Sequence, residues 1–216
     1  MKSEILTLLL ELHYLPSLEY FCALQPFDQI QLEKCEYYVK QSYRNRCYIN
    51  TSQGAAMLIV PLTAKHGKTL ISDVRIDYNQ KWQNIHWRSI ESAYRKAPFF
   101  EHYADDLKYI LYRHHVFLFD LNMELLSFCL KSINFNPALS VSVNYDQDLP
   151  TSVFDLRSQI NPKKSHLNRQ FYKPVAYDQV FGSGFVENLS LIDLLFCEGP
   201  RAGLQLRTSR KADLNK

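Results

Sequence analysis

Nowhere does this chain carry the ~20 consecutive apolar residues that a bilayer-spanning helix needs. The nearest approach, the six residues ILTLLL after Lys2, is bracketed by Glu4 and Glu11 and has no small-residue cleavage site behind it. It reads as a buried strand rather than an export signal, and points to a cytoplasmic protein with no membrane span. Positive charge is also in short supply. Against 22 acidic residues stand 25 Lys and Arg, a formal charge of +3, far below the dense field that phosphodiester recognition requires, so nucleic acid is not an expected partner. The five cysteines, Cys22, Cys35, Cys47, Cys129 and Cys197, are scattered. None has a mate at the two-residue spacing of zinc or redox motifs, so they read as free thiols acting as small apolar residues. The chain also lacks a Gly-x-Ser-x-Gly elbow, a metal-spaced His-Glu pair, a Walker lysine and carboxylates paired as in glycosidases. His114 and His115 are adjacent, hence on different helix faces, and make a poor metal site. No metal site is expected, and no cofactor is identified.

What is present is a core. With 46% hydrophobic residues over 216 positions, the chain can bury one sizeable core and is read as one α/β domain, residues 1–207, with a mixed β-sheet and packed helices. Residues 208–216 form a polar tail, expected to fray. The apolar run at 5–13 predicts a strand covered on both faces. Pro16 then turns the chain, and Ser17 caps a short helix. That strand, turn and helix place Tyr14 near the mouth of a crevice beyond the strand's carboxyl end. QIQLEKCEYYV predicts a second strand, and CYINTSQGAAMLIVPL a pair joined at Ser52-Gln53-Gly54. TLISDVRIDY alternates like a strand. From Lys81 the period becomes helical as far as Pro98, and two more helices follow through residue 135. ALSVSVNY is a last strand. A final helix, NLSLIDLLFCEG, stops at Gly199-Pro200.

Three groups of residues carry chemical potential. On the helix from residue 81, Trp82 and His86 share a face, Trp87, Glu91 and Tyr94 a second, and Arg88 and Arg95 a third. An imidazole beside an indole in a cleft suits general-base chemistry, whereas a buried imidazole is more often a satisfied structural group than a catalyst. Arg44 and Arg46 flank Asn45 just before a strand, where alternate residues point the same way and two guanidinium forks can grip a phosphate or carboxylate. Solvated surface arginines are the plain alternative. The loop Lys163 to Lys173 gathers Lys164, His166 and Arg169 as a further anion clamp or simply a solvated loop. Gly182-Ser183-Gly184 is a weak phosphate-cradle signal, since the full glycine pattern is missing.

Set in order, these motifs resemble the WbqC-like family, bacterial proteins often encoded among genes for O-antigen and other surface polysaccharides. The likeness is carried by Tyr14-Leu15-Pro16 with Tyr20-Phe21, then by Arg44-Asn45-Arg46, Ile49, Gly54, Leu58 and Val60-Pro61. Trp82, His86, Tyr94, Pro98, Phe99, Phe100 and Tyr103 extend it, and YDQVFGSGFVENLSLIDLLFCEGP resembles a form common in Bacteroidetes-like members. One departure stands out. Many members read histidine-glutamine-proline before the opening motif, where this chain has Leu10, Glu11 and Leu12. His13 is offset by three from that histidine, which shifts weight to His86.

The resemblance implies a transferase of glycan assembly that places an acyl or aminoacyl group on an amino sugar or nucleotide-linked sugar. In that reading His86 is the base, and Tyr14 and Trp82 are apolar walls. Arg44, Asn45, Arg46 and Arg88 hold an anionic group, and Tyr94 completes the ligand contacts. The partner is a small molecule, a nucleotide sugar or acyl donor. The rival expectation is a non-catalytic protein that binds a nucleotide sugar or a glycan-biosynthesis enzyme, with His86 structural.

Overall fold

The structure, a computed structural model, describes residues 6–63, 68–163, 171–182 and 184–211. Its spine is a four-stranded parallel sheet of β1 (Thr7–Glu11), β2 (Gln29–Glu33), β5 (Ala138–Val141) and β6 (Val153–Asp155), in the order β5-β2-β1-β6. Leu8, Leu9 and Leu10 are all buried because β1 lies between two strands and is covered on both faces. This is why its sequence is a continuous apolar run rather than an alternating one. The chain leaves β1 through α1 (Leu18–Leu24) and returns as β2, aligned Thr7 to Gln29 through Glu11 to Glu33. Parallel neighbours need such a crossover.

The antiparallel component of the fold is a separate hairpin, β3 (Arg46–Thr51) with β4 (Gly54–Ile59), turned at the expected Ser52-Gln53-Gly54. Gly54 sits at φ +91, a conformation that glycine adopts without a Cβ penalty. Helix α2 (Trp82–Tyr94) packs against β3 of the hairpin, α3 (Phe100–Tyr112) against α2, and α4 (Leu118–Ser132) against α3. They are joined by α5 (Leu191–Glu198) and α6 (Ala202–Thr208). The α/β class and the helical centre agree with the sequence. Pro98 stands four residues beyond the end of α2, where it cannot break the ladder.

Four local expectations are corrected. QIQLEKCEYYV is a strand only to Glu33, because the Glu33 carboxylate accepts a hydrogen bond from the Cys35 amide at 2.8 Å and turns the chain. TLISDVRIDY holds a single 3-10 turn at Ile71–Asp73 and isolated bridges, Leu62 to Ile76 and Arg75 to Phe117. Its alternation arises because successive residues bond to two different segments, Ile76 to the Val116 carbonyl and Asp77 to the Pro61 carbonyl. Strand β6 was not foreseen. Residues 209–211 are tied down, the Lys173 amide bonding the Ser209 carbonyl at 2.7 Å and the Lys211 amide the Phe171 carbonyl at 3.2 Å. All five cysteines are free.

Candidate functional site

The carboxyl ends of the four parallel strands form one rim, and the chain leaving each contributes a polar side chain to it. Glu11 ends β1 and His13 follows it, Glu33 ends β2 and Glu36 follows it, Ser142 follows β5, and Asp155 ends β6 with Arg157 and Ser158 behind it. Strand β1 connects forward to β2 on one side, while its other neighbour, β6, comes from much later in the chain. The crevice at such a reversal is where open α/β sheets place ligands. Backbone strain collects here too. Leu15 at φ 42 and Ser158 at φ 58 lie in the left-handed region, costly for residues other than glycine and a feature of functional loops.

Charge organises the rim. The Arg44 guanidinium donates from Nε and Nη2 to the two oxygens of Glu36, each at 2.6 Å, and from Nη2 to the Ser158 hydroxyl at 3.0 Å. Its Nη2 is also 3.5 Å from Glu11. Burial alone lowers the pKa of Arg44, but the hydrogen bonds and charge of Glu36, together with Glu11, outweigh it and raise the value. Glu11 lies 3.2 Å from His13 Nε2 and accepts from the Ser158 amide at 2.8 Å. Burial pushes Glu11 up. His13, Arg44 and the Ser158 amide together pull harder and hold it at about 2, against an ordinary 4.5. Beyond this group, Glu33 accepts from Ser142 at 2.6 Å and from Arg157 at 2.9 Å. Arg157 also grips Asp155 from Nε and Nη2 and lies 4.4 Å over the Tyr145 ring.

The residues expected on the 81–100 segment do converge with the turn after β1, and the His86 ring is sealed into that contact. His86 Nδ1 lies 2.8 Å from the Tyr14 hydroxyl and Nε2 3.1 Å from the Ile59 carbonyl, with the ring 2% exposed. A carbonyl only accepts, so Nε2 carries the proton and Nδ1 accepts from Tyr14. Both nitrogens are thus engaged, and burial lowers the pKa of His86 to about 4. Trp82 packs edge-on to this ring at 5.1 Å, and both Tyr14 and Trp82 are core residues. Tyr94 is fully buried, donating to Asp193 at 2.8 Å and accepting from the Asn50 amide. The expected open pocket around His86 is therefore packed by its own aromatics, and the geometry does not present that ring to a ligand.

The arginines separate as well. Arg44 belongs to a 3-10 turn, Tyr43–Asn45, not to a strand, so it does not point with Arg46. Arg44 turns inward to the rim. Arg46 opens β3 and, with Asn45, lines a cleft of about 460 Å³ walled by Val60 and Pro61 and ringed by Lys40 and Arg75. Arg88 stands elsewhere, at a shallower recess with Thr51, Ser52, Ser89 and Ser92. Of the expected anion clamp, Lys164, His166 and Arg169 lie outside the described residues, as does Ser183 of the glycine pair. Among the described residues no group of three or more His, Cys, Asp or Glu is placed to hold a metal, and no helix is long and apolar enough to cross a membrane.

The rim residues Glu33, Glu36, Arg157 and Ser158, and the cleft residues Lys40 and Arg75, went unnoticed in the sequence. For Glu33 and Glu36 the available signal was position, at and just past the carboxyl end of β2; Arg157 and Ser158 follow a strand too short to read, and Lys40 and Arg75 carried no such signal.

Compared with known proteins, residues 12–166 match the model of the WbqC-like protein family, a span that takes in the 43–46 turn, the cleft and most of the rim. The uncharacterised protein Rv1507c of Mycobacterium tuberculosis is 28% identical over 226 residues, covering 92% of this chain and 96% of its own length. No solved structure matches.

Proposed function

Because the chain belongs to the WbqC-like protein family, we propose that it is a transferase of glycan assembly working at the rim of the parallel sheet, with His13 in the role that sequence assigned to His86. Both rings are buried, and what separates them is what they touch. The observation that carries the reading is the 3.2 Å contact of His13 Nε2 with Glu11 at the end of β1. A carboxylate held at about 2 stays charged at neutral pH. It therefore fixes the proton on Nε2, orients the ring and stabilises the imidazolium that forms when the ring takes a second proton.

The chemistry is acyl or aminoacyl transfer to an amino sugar or nucleotide-linked sugar. The acceptor's amine attacks the donor's carbonyl carbon, and His13 takes the amine proton as the N–C bond forms. As the bond to the leaving group breaks, the same proton passes to that group. Glu11 changes neither charge nor covalent state.

A second reading is a non-catalytic protein that binds a nucleotide sugar or a partner enzyme. It is favoured by the closure of the rim, where Arg44 is already neutralised by two carboxylates. Mass spectrometry of reactions containing an amino-sugar nucleotide and an acyl donor separates the two. Product formation that His13→Asn removes, while the folded variant still binds the nucleotide sugar, supports transfer. Nucleotide-sugar binding with no donor consumed supports the second reading and overturns the first, whereas full turnover by His13→Asn overturns the role of His13 in transfer.

A further inference from the structure

The cleft on the other side of the 43–46 turn has a composition unlike the rim. Three cations, Lys40, Arg46 and Arg75, line it, with no carboxylate among the lining residues. None of the three is ion-paired to a described acid; Arg75 lies 5.0 Å over the Phe117 ring instead. Three unneutralised positive charges facing one concavity raise the local potential and favour an anion.

Two buried atoms refine the choice of anion. The Asn45 side chain donates from Nδ2 to the Val60 carbonyl at 2.9 Å, which fixes the orientation of its amide. Its Oδ1 is then an acceptor. That oxygen is buried and has no hydrogen-bond partner among the described residues, although Asn45 is only 6% exposed. The Nε of the adjacent Arg46 is likewise buried and unpartnered. An orphaned buried polar atom is costly, and water, an ion or a ligand is what completes one. Here one orphan needs a donor and its neighbour needs an acceptor. Inorganic phosphate answers the second requirement through its oxygens. A phosphate ester of a sugar answers both, its oxyanions reaching Arg46 and the flanking cations while a ring hydroxyl donates to Asn45. The volume of about 460 Å³ falls within the range of small-molecule sites.

We propose that the cleft between β4 and residues 69–75 is a binding site for a sugar phosphate, with Lys40, Arg46 and Arg75 holding the phosphate and Asn45 Oδ1 accepting from a sugar hydroxyl. The site stands on its own residues and does not depend on proton transfer at His13. A nucleotide-linked sugar is one such ligand, which would let the cleft serve the proposed reaction, but binding alone tests it.

The test is calorimetric titration of the full chain at low ionic strength, where charge contributions are least screened, with glucose 1-phosphate and, separately, inorganic phosphate. Glucose 1-phosphate is expected to bind at least tenfold more tightly than inorganic phosphate. The double substitution Lys40→Gln, Arg75→Gln, at side chains outside the core, is expected to weaken both at least tenfold with unfolding unchanged. Equal affinity for the two ligands overturns the role of Asn45. Wild-type affinity in the double variant, or no binding at millimolar ligand, overturns the site. Turnover lost in His13→Asn with sugar-phosphate binding intact keeps this site and bears only on the reaction.

Discussion

Arg44 and Glu36 meet fork to fork, Nε to Oε1 and Nη2 to Oε2 both at 2.6 Å, with the arginine only 1% exposed. The pair joins the turn before β3 to the chain leaving β2, and Asn122 of α4 anchors the same turn by donating to the Arg44 carbonyl at 2.7 Å. Removing one member strands its partner's charge in a dry environment, whereas removing both spares that cost and leaves Glu11 still held by His13 and the Ser158 amide. Glu36→Gln or Arg44→Met alone is therefore expected to cost about 3–5 kcal/mol. The Arg44→Met, Glu36→Gln double variant should lose clearly less than the sum. Urea midpoints for the four proteins at neutral pH check this, and strict additivity would show that the two side chains do not act as a unit.

Glu11 gives the rim a pH signature. Its pKa is about 2 in the folded protein against an ordinary 4.5, a depressed value. The stability it contributes is fully present above about pH 4.5 and is lost as the pH falls through 4.5 towards 2. The size is on the order of 3 kcal/mol. Glutamine imitates the protonated acid. Glu11→Gln should thus be less stable than the wild type at pH 7, and the gap should close as the pH falls through that window. Other acid-sensitive groups cancel in the difference. Paired urea titrations between pH 7 and pH 2 measure the gap, and a pH-independent gap would mean that the carboxylate's charge contributes nothing.

How far the sequence reached follows from how local each signal is. The apolar run of β1, the Ser52-Gln53-Gly54 turn and the 3.6-residue period of α2 to α4 are written within a dozen residues, and each is read correctly. Strand β6 is three residues long, too short for alternation to register, and it exists because β1 offers it an edge. The rim is the extreme case. Glu11, Glu36, Ser142 and Arg157 are separated by most of the chain and come together only because parallel strands share a direction. Each, taken singly, looks like an ordinary solvated polar residue. The Trp82 and His86 face misleads for the opposite reason, since helical spacing brings an indole and an imidazole together in the same way whether ligand or protein covers them. Tyr14, from a distant loop, does the covering.

That contact makes a separable prediction for His86. The ring is an Nε2–H tautomer bridging the Ile59 carbonyl at the end of β4 and the Tyr14 hydroxyl, so it links the hairpin to the turn after β1. Tyr14→Phe removes the donor and leaves Nδ1 buried without a partner, at an expected cost of about 1–3 kcal/mol. His86→Ala also opens a cavity among Trp82, Tyr14 and Ile90, and its cost should be larger, about 3–5 kcal/mol. Because the folded pKa of about 4 lies below the ordinary 6.5, the neutral ring's contribution is complete above pH 6.5 and declines as the pH falls towards 4. Tyr14→Phe should leave a decline of its own over that window, because burial and not the tyrosine is the main cause of the shift, whereas His86→Ala should flatten it. Urea midpoints from pH 7.5 to 4 provide the measurement. A His86→Ala protein as stable as the wild type, with the same pH profile, would free the imidazole from its structural role and return it to the search for a base.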